Sequence, residues 1–343
     1  MFKLSIKNSK GNYDITKLVE STTMSGDYQQ CARTLGFSPV SSYTDKNIPV
    51  VAFELGSLVR LENDSKTLFE GFIFERQKDT GSSIINNTCY DRGIYLKRNE
   101  GTYKFKNTTP EAITRRLCSD FGIQMGSLAS TGIKISRNFI GVSLYKIIQT
   151  AYTLASEQNG KHYIIRFSGS KLNVFEKKIN NETLIIEGGS NLMSASTTES
   201  ISNMINQVAI YNAEDKLIGT IKDADAIKLY GLMQSYIKQS KGEDVSQKAK
   251  NLILDNGISQ KISIDNLGNH ACLTGGTVVV REPYTGIYGL FYIDSDIHTW
   301  KKGQYYNKLT LNFKNIMDEQ EAGSLPNKNG EKTKGETWKY INE

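Results

Sequence analysis

Short alternating runs separated by turn-forming residues fill residues 2–100, and this pattern constrains the fold more than any other feature of the chain. Lys3 to Lys7 alternates polar and apolar side chains. Val50-Val51-Ala52-Phe53-Glu54-Leu55 is a short apolar run stopped by Gly56, and Ser57–Glu62 follows, with Asn63-Asp64-Ser65 as its turn. Thr67–Arg76 comes next, and Ser83–Tyr90 begins after the Thr80-Gly81 break. Strand-length runs with turns every ~8–12 residues predict a small barrel or sandwich.

The pattern changes at Thr108-Thr109-Pro110-Glu111. Thr109 suits an N-cap, Pro110 the first helical position, and Glu111 the positive end of the helix dipole. Ala112, Ile113, Leu117 and Phe121 then recur at helical spacing until Gly122. A second helix is predicted over Ser143–Gln158, with Leu144, Ile147, Ile148, Ala151, Tyr152 and Ala155 on one stripe and Gly160 as its end. Two strands, Tyr163–Phe167 and Lys171–Phe175, turn through Ser168-Gly169-Ser170. Together these make a small α+β module. Beyond it, Thr183–Glu187, Ser200–Tyr211 and Lys216–Ile221 read as β structure. Asp223–Ser240 and Val245–Asp255 read as two inserted helices, followed by strands at Lys261–Ile264, Gly276–Arg281, Gly289–Ser295 and Tyr306–Asn315. From Asp318 the apolar pattern stops. Gln320–Glu336 has the composition of a linker, and Trp338, Tyr340 and Ile341 follow it.

Composition narrows the function. The chain has 343 residues, enough for two or three domains. Its 42 basic and 36 acidic residues leave a net charge of +6, too small for a dedicated nucleic-acid binder of this length. No run approaches ~18 consecutive apolar residues, so no membrane helix is expected. Met1 to Lys7 has no apolar signal segment, and synthesis in a cytoplasm is the expectation.

The residues offer no convincing reaction centre. Cys31, Cys89, Cys118 and Cys272 lack C-x-x-C or metal-ligand spacing and read as reduced, buried thiols. No Gly-x-Ser-x-Gly elbow occurs. Glu54, Glu62, Glu70 and Glu75 read as solvent-facing strand residues rather than a glycosidase pair. His298, between Asp296 and Trp300, reads as a hydrogen-bonded structural histidine rather than a ligand or base. The basic run Arg92, Lys97, Arg98, Lys104, Lys106, Arg115 and Arg116 interleaves with Tyr95, Tyr103 and Phe105. Asp91, Glu100 and Glu111 dilute it, so it reads as a solvated or protein-contact face rather than a single-strand nucleic-acid surface. No catalytic, cofactor or metal site is expected.

Several strings carry a resemblance. In the first part these are Gln30-Cys31-Ala32-Arg33-Thr34-Leu35, Leu68-Phe69-Glu70-Gly71-Phe72-Ile73-Phe74, Tyr90-Asp91-Arg92-Gly93-Ile94-Tyr95-Leu96-Lys97 and Tyr103 to Glu111. In the last part they are Tyr230-Gly231-Leu232-Met233-Gln234, Gly289 to Trp300 and Gly303-Gln304-Tyr305-Tyr306. In order and spacing the chain resembles the baseplate hub proteins of contractile phage tails. These form the late-control D family, and the likeness is to its branch in defective prophages and phage-tail-like bacteriocins of Gram-positive bacteria. It extends to about Met317; the tail after Asp318 matches no family pattern.

The resemblance implies a β-rich α+β fold with two tail-tube-like β-barrel domains. The expected layout is a first barrel over 1–105, an α+β module over 106–179, and a second barrel over 180–222 and 258–318. A helical insertion would occupy 223–257, and a linker and docking tail 319–343. The implied role is a homotrimer, made in the bacterial cytoplasm, joining the hexameric tail tube to the central trimeric spike. Tape-measure and other baseplate proteins would be further neighbours, with no membrane, no cofactor and no sequence-specific nucleic acid. Candidate protein contacts are Tyr95, Tyr103, Phe105 and Tyr305, together with Trp338, Tyr340 and Ile341 of the tail, which would dock on a neighbouring chain. The alternative is a tail-associated cell-wall hydrolase, for which no extra domain of suitable size is evident.

Overall fold

A computed structural model describes residues 2–42, 45–64, 66–180, 183–239 and 244–326. The first β unit contains β1 (Phe2–Asn8), β2 (Gly11–Asp14), β3 (Val19–Asp27), β4 (Thr34–Pro39), β5 (Leu58–Asn63), β6 (Lys66–Lys78) and β7 (Ile85–Asp91). Helix α1 (Gly93–Arg98) leads into β8 (Glu100–Thr108), α2 (Pro110–Asp120), β9 (Met125–Leu128), β10 (Ile135–Ser143), α3 (Leu144–Asn159), β11 (Tyr163–Ser168) and β12 (Lys171–Glu176). Then come β13 (Leu184–Glu187), β14 (Leu192–Ser200), β15 (Gln207–Tyr211), β16 (Leu217–Lys222), α4 (Ala224–Tyr230), β17 (Gln234–Lys238) and α5 (Ser246–Asp255). The last strands are β18 (Ser259–Leu267), β19 (Thr277–Glu282), β20 (Ile287–Lys301) and β21 (Gln304–Asn312). The fold is β-rich α+β.

Among the described residues thirteen strands share one sheet, in the order β14-β18-β21-β20-β3-β4-β7-β6-β5-β1-β2, with β19 on β20 and β13 on β19. The two expected closed barrels are not formed: among the described residues the hydrogen-bonded path does not return on itself. The reason lies in β3. One of its edges pairs with β4 and the other with β20, from Asp27 opposite Ser295 to Ser21 opposite Lys301. No edge of β3 remains for β2 to close the first unit.

Strand β20 therefore serves two cores. Phe291 and Ile293 pack with Ile262, Val278 and Leu309 in the second β unit. Trp300, further along the same strand, packs with Leu4, Ile6, Phe37 and Phe69 in the first. Fully burying a side chain of this size contributes ~1.5–3 kcal/mol, so both units draw stability from one strand.

The middle module forms as its capping residues dictate. The Thr109 side chain accepts from Ala112 N, Pro110 opens α2, and Ser143 caps α3 by accepting from Lys146 N. Gly160 ends α3 at φ 66°, a left-handed position that a Cβ would strain. The stripe from Leu144 to Ala155 is buried, against Ile113, Leu117, Phe139 and Leu172. This core also takes Leu96 from α1 and Phe105 from β8, so the module reaches back past the expected start at 106. Gly93 makes that junction possible, since a Cβ there would meet the Cys31 carbonyl oxygen at 1.9 Å.

Three other expectations are corrected. Asp223–Ser240 is not one helix: α4 ends at Tyr230, Gly231 turns the chain at φ 85°, and β17 pairs in parallel with β15. Gln234 to Lys238 alternates, with Ile237 packed inward beside Val208 and Tyr236 outward. Strands β15 and β16, expected in the second barrel, instead form a separate three-stranded sheet with β17. The insertion is thus α+β, with α5 packed on its sheet through Val245 and Ala249. The Val50–Leu55 run forms no strand. Phe53 is buried, but its neighbours are held by side chains: Asn8 Nδ2 donates to Ala52 O at 2.7 Å, and Ser9 Oγ donates to Glu54 at 2.9 Å.

The start of the expected linker docks on its own chain. Met317 lies in the module core. Asp318 Oδ2 accepts from Tyr145 Oη at 2.6 Å, and its carbonyl oxygen accepts from Gln149 Nε2. Arg137 Nε donates to Ala322 O, and Ser324 exchanges two 2.9 Å backbone bonds with Asn138 on β10. Asp318→Ala is expected to cost about 1–3 kcal/mol, because it leaves the Tyr145 hydroxyl buried without its acceptor. Urea denaturation measures this, and an unchanged midpoint at equal slope contradicts it. Trp338, Tyr340 and Ile341 lie outside the described residues.

A buried polar node and a candidate contact surface

The seam between the β units is built from polar side chains. Along β20 the inward positions read Asp296, His298 and Trp300, all buried, while Ile297 faces out. Arg33, just before β4, grips Asp296 with a two-pronged guanidinium: Nη1 donates to Oδ1 at 3.0 Å and Nη2 donates to Oδ2. Thr274 adds its backbone N–H and its hydroxyl to Oδ1, each at 2.6 Å. Burial opposes the Asp296 charge, but Arg33 and the His298 hydrogen bond outweigh it and hold the carboxyl well below the ordinary carboxylate range.

The hydrogen bonds also fix the state of His298. Asn307 Oδ1 accepts the Asn269 N–H at 2.6 Å, so Asn307 Nδ2 must donate, and it points to His298 Nδ1 at 2.8 Å. Tyr305 Oη lies 2.7 Å from the same nitrogen. Nδ1 is therefore the acceptor. Nε2 carries the proton and donates to Cys272 O at 3.0 Å, with Asp296 Oδ2 at 3.1 Å. Tyr305 stacks on Trp300 at 4.5 Å and 9°, and Gly268 leaves room for it, since a Cβ there would meet the Tyr305 ring at 2.1 Å. His298 and Asp296 are wholly buried, so no substrate reaches them; their chemistry is to join the two β units.

The candidate contact residues separate. Phe105 is buried in the module core, where it cannot meet a partner. Tyr103 stacks on Phe105 and donates to Asp120 Oδ2 at 3.0 Å. Tyr305 is an internal anchor of the node. Tyr95 is 39% exposed and sits in a cluster that sequence reading did not assemble. Phe72 lies 6.2 Å from it and Phe74 6.0 Å, and Phe74 meets Tyr90 edge-on at 5.6 Å. Arg92 covers Phe72 at 5.0 Å. Beside the cluster is a cleft of about 550 Å³ lined by Phe74, Tyr90, Ile94, Lys97 and Arg98. The period-two alternation of Phe69 to Phe74 carried the signal: Phe69, Gly71 and Ile73 face in, which turns Phe72 and Phe74 out.

No described thiol is available as a nucleophile. Burial pushes Cys31 and Cys272 up to about 12 and Cys118 to about 11, and Cys89 rises further for the same reason. Among the described residues no group of three His, Cys, Asp or Glu side chains is placed to hold a metal, and no helix is long and apolar enough to cross a membrane.

Asp91 is strained in a different way. It is buried, its Oδ1 accepts the Gly93 N–H at 2.8 Å, and burial pushes its carboxyl up to about 6 despite that bond and the nearby Arg33. A folded value above the unfolded 3.8 means its contribution is fully present below about pH 4 and is lost as pH rises through about 6. Asp91→Asn keeps an acceptor for Gly93 and removes the buried charge. It is expected to stabilise the chain at pH 7 by about 1–3 kcal/mol and to have little effect at pH 4. Denaturation at the two pH values checks this, and a loss at pH 7 refutes it.

Residues 22–312 match the YQBQ-like family. The phage-like element PBSX protein XkdQ of Bacillus subtilis (strain 168) is 26% identical over 313 residues, covering 88% of this chain and 94% of that protein. The 43 kDa tail protein of prophage MuSo2 from Shewanella oneidensis has the same fold at a TM-score of 0.68 and 12% identity, over 90% of this chain and 97% of its own. The E. coli c3393 protein is described as a type VI secretion component similar in structure to the T4 tail proteins gp27 and gp5. It matches at a TM-score of 0.51 and 9% identity, over 90% of this chain and 76% of its own. A family match spanning most of the sequence, on a fold shared with a prophage tail protein, places the chain in the YQBQ-like family.

Proposed function

We propose that this protein is the hub of a contractile tail, of the late-control D type: a homotrimer that adapts the sixfold tail tube to the threefold spike. The observation that carries the reading is the shared strand β20. It fixes two β units in one continuous sheet, so each chain offers two units in a set relation. Three chains then supply six units, which is what a threefold ring needs to meet a sixfold tube. The likeness to XkdQ, from a phage-like element, and to c3393, itself likened to gp27, supports the same reading. The work is mechanical, and no turnover is assigned. Native mass spectrometry of the purified protein tests it: a trimer is expected, while a stable hexamer contradicts it.

A further inference from the structure

A second cleft, of about 420 Å³, opens where the first β unit, the middle module and the second β unit meet. Its walls include Arg33, Lys66, Glu70, Asp91, Arg166 and His270. The charges are unevenly matched. Glu70 is taken by Arg60 at 2.6 Å and by Arg92 at 3.6 Å, and Arg33 by Asp296. Arg166 and Lys66 have no ion pair or side-chain hydrogen bond among the described residues. Arg166 is half-buried, with its guanidinium carbon over the Phe175 ring at 5.0 Å, and Arg33 Nε is a buried donor without an acceptor. Burial, and then the charge of Arg33, lower the pKa of Arg166 from its ordinary value. A partly desolvated cation beside a second cation and an unmet donor gains most from an anion placed between them.

We propose that this cleft is a receptor for a carboxylate presented by a neighbouring protein chain. The anion site stands on the geometry alone; its protein source rests on the hub reading. A monoanion suits it better than a phosphate, because Glu70 and Asp91 on the walls repel a charge near −2. An arginine fork receives a carboxylate through paired N–H donors, which favours Arg166 as the receiving group. Occupation ties the module, through Arg166, to the first β unit, through Arg33 and Lys66, and so stiffens the junction of the three units on assembly.

The test uses the full chain and butyrate, a monoanion with the length of a glutamate side chain, as the probe, with chloride and inorganic phosphate as comparators at one ionic strength. Butyrate is expected to raise the thermal midpoint by a few degrees, ~2–5 °C at concentrations well above its dissociation constant, and more than either comparator. Arg166→Met should abolish the rise and Lys66→Met reduce it, with circular dichroism reporting that each variant is folded. If Arg166→Met does not fold, Lys66→Met and Arg166→Lys decide, both binding more weakly than the native chain. A rise no larger than with chloride, a larger rise with phosphate, or an undiminished rise in the folded variants overturns the proposal. None of these outcomes depends on whether the chain forms a trimer.

Discussion

Asp296→Ala will destabilise the protein by about 3–5 kcal/mol, the largest loss expected from any single substitution at the seam. The alanine leaves the Arg33 guanidinium buried and unpaired. It also strips Thr274 of the acceptor for its N–H and hydroxyl, and His298 Nε2 of a neighbour at 3.1 Å. A surface ion pair of the same geometry would contribute only ~0–1 kcal/mol, so the size of the loss reports burial rather than charge. The folded carboxyl lies far below its unfolded value of 3.8, so its contribution is present above about pH 4 and is lost as pH falls through the lower folded value. The difference between native and variant chains should therefore hold from pH 7 to pH 5. In the double variant Arg33→Met with Asp296→Leu, no charge is stranded, and part of the loss should be recovered. Guanidinium denaturation of the native chain and the two variants makes the comparison. A loss below about 1 kcal/mol for Asp296→Ala would show that the node does not hold the two β units together.

The second large effect concerns assembly. Replacing Phe74 and Tyr95 together by serine should weaken trimer formation while leaving the monomer folded, since each side chain is 39% exposed. Aromatic anchors at the centre of an interface cost ~2–4 kcal/mol each when truncated, which is about 30- to 700-fold in affinity per residue. Arg92, held over Phe72 and beside Glu70, keeps a charged rim next to the apolar centre, the arrangement found in protein interfaces. Sedimentation equilibrium of the variant measures the effect. Association within twofold of the native chain would remove this surface from the interface.

How much of this was legible in the sequence depended on the range of the interactions. Thr109-Pro110 announced α2, and the stripe from Leu144 to Ala155 with Gly160 announced α3, because capping and helical spacing are decided by a few neighbouring residues. The strands β6, β7, β11 and β12 followed from alternation and turn residues. Asp223–Ser240 failed because Leu229, Met233 and Ile237 happen to fit a helical stripe, and only the pairing of β17 with β15 makes Gln234–Lys238 a strand. The seam was partly visible. Asp296, His298 and Trp300 share one parity with Ile297 between them, which places two polar groups on a buried face. Their partner Arg33 is 263 positions away, however, and no local pattern links the two. Tyr305 and Phe105 illustrate the same limit: an aromatic residue on a strand reads alike whether it anchors a partner or its own core.

The central claim is that three chains present six tube-like units to a sixfold partner. An electron-microscopy reconstruction of the assembled tail tip tests it most directly. The expected result is three copies in a ring, with the first β unit (β1–β7) and the second (β13, β14 and β18–β21) alternating around the axis in superposable positions against the tube. Six copies in the ring, or three copies whose second β units lie away from the tube, would contradict it.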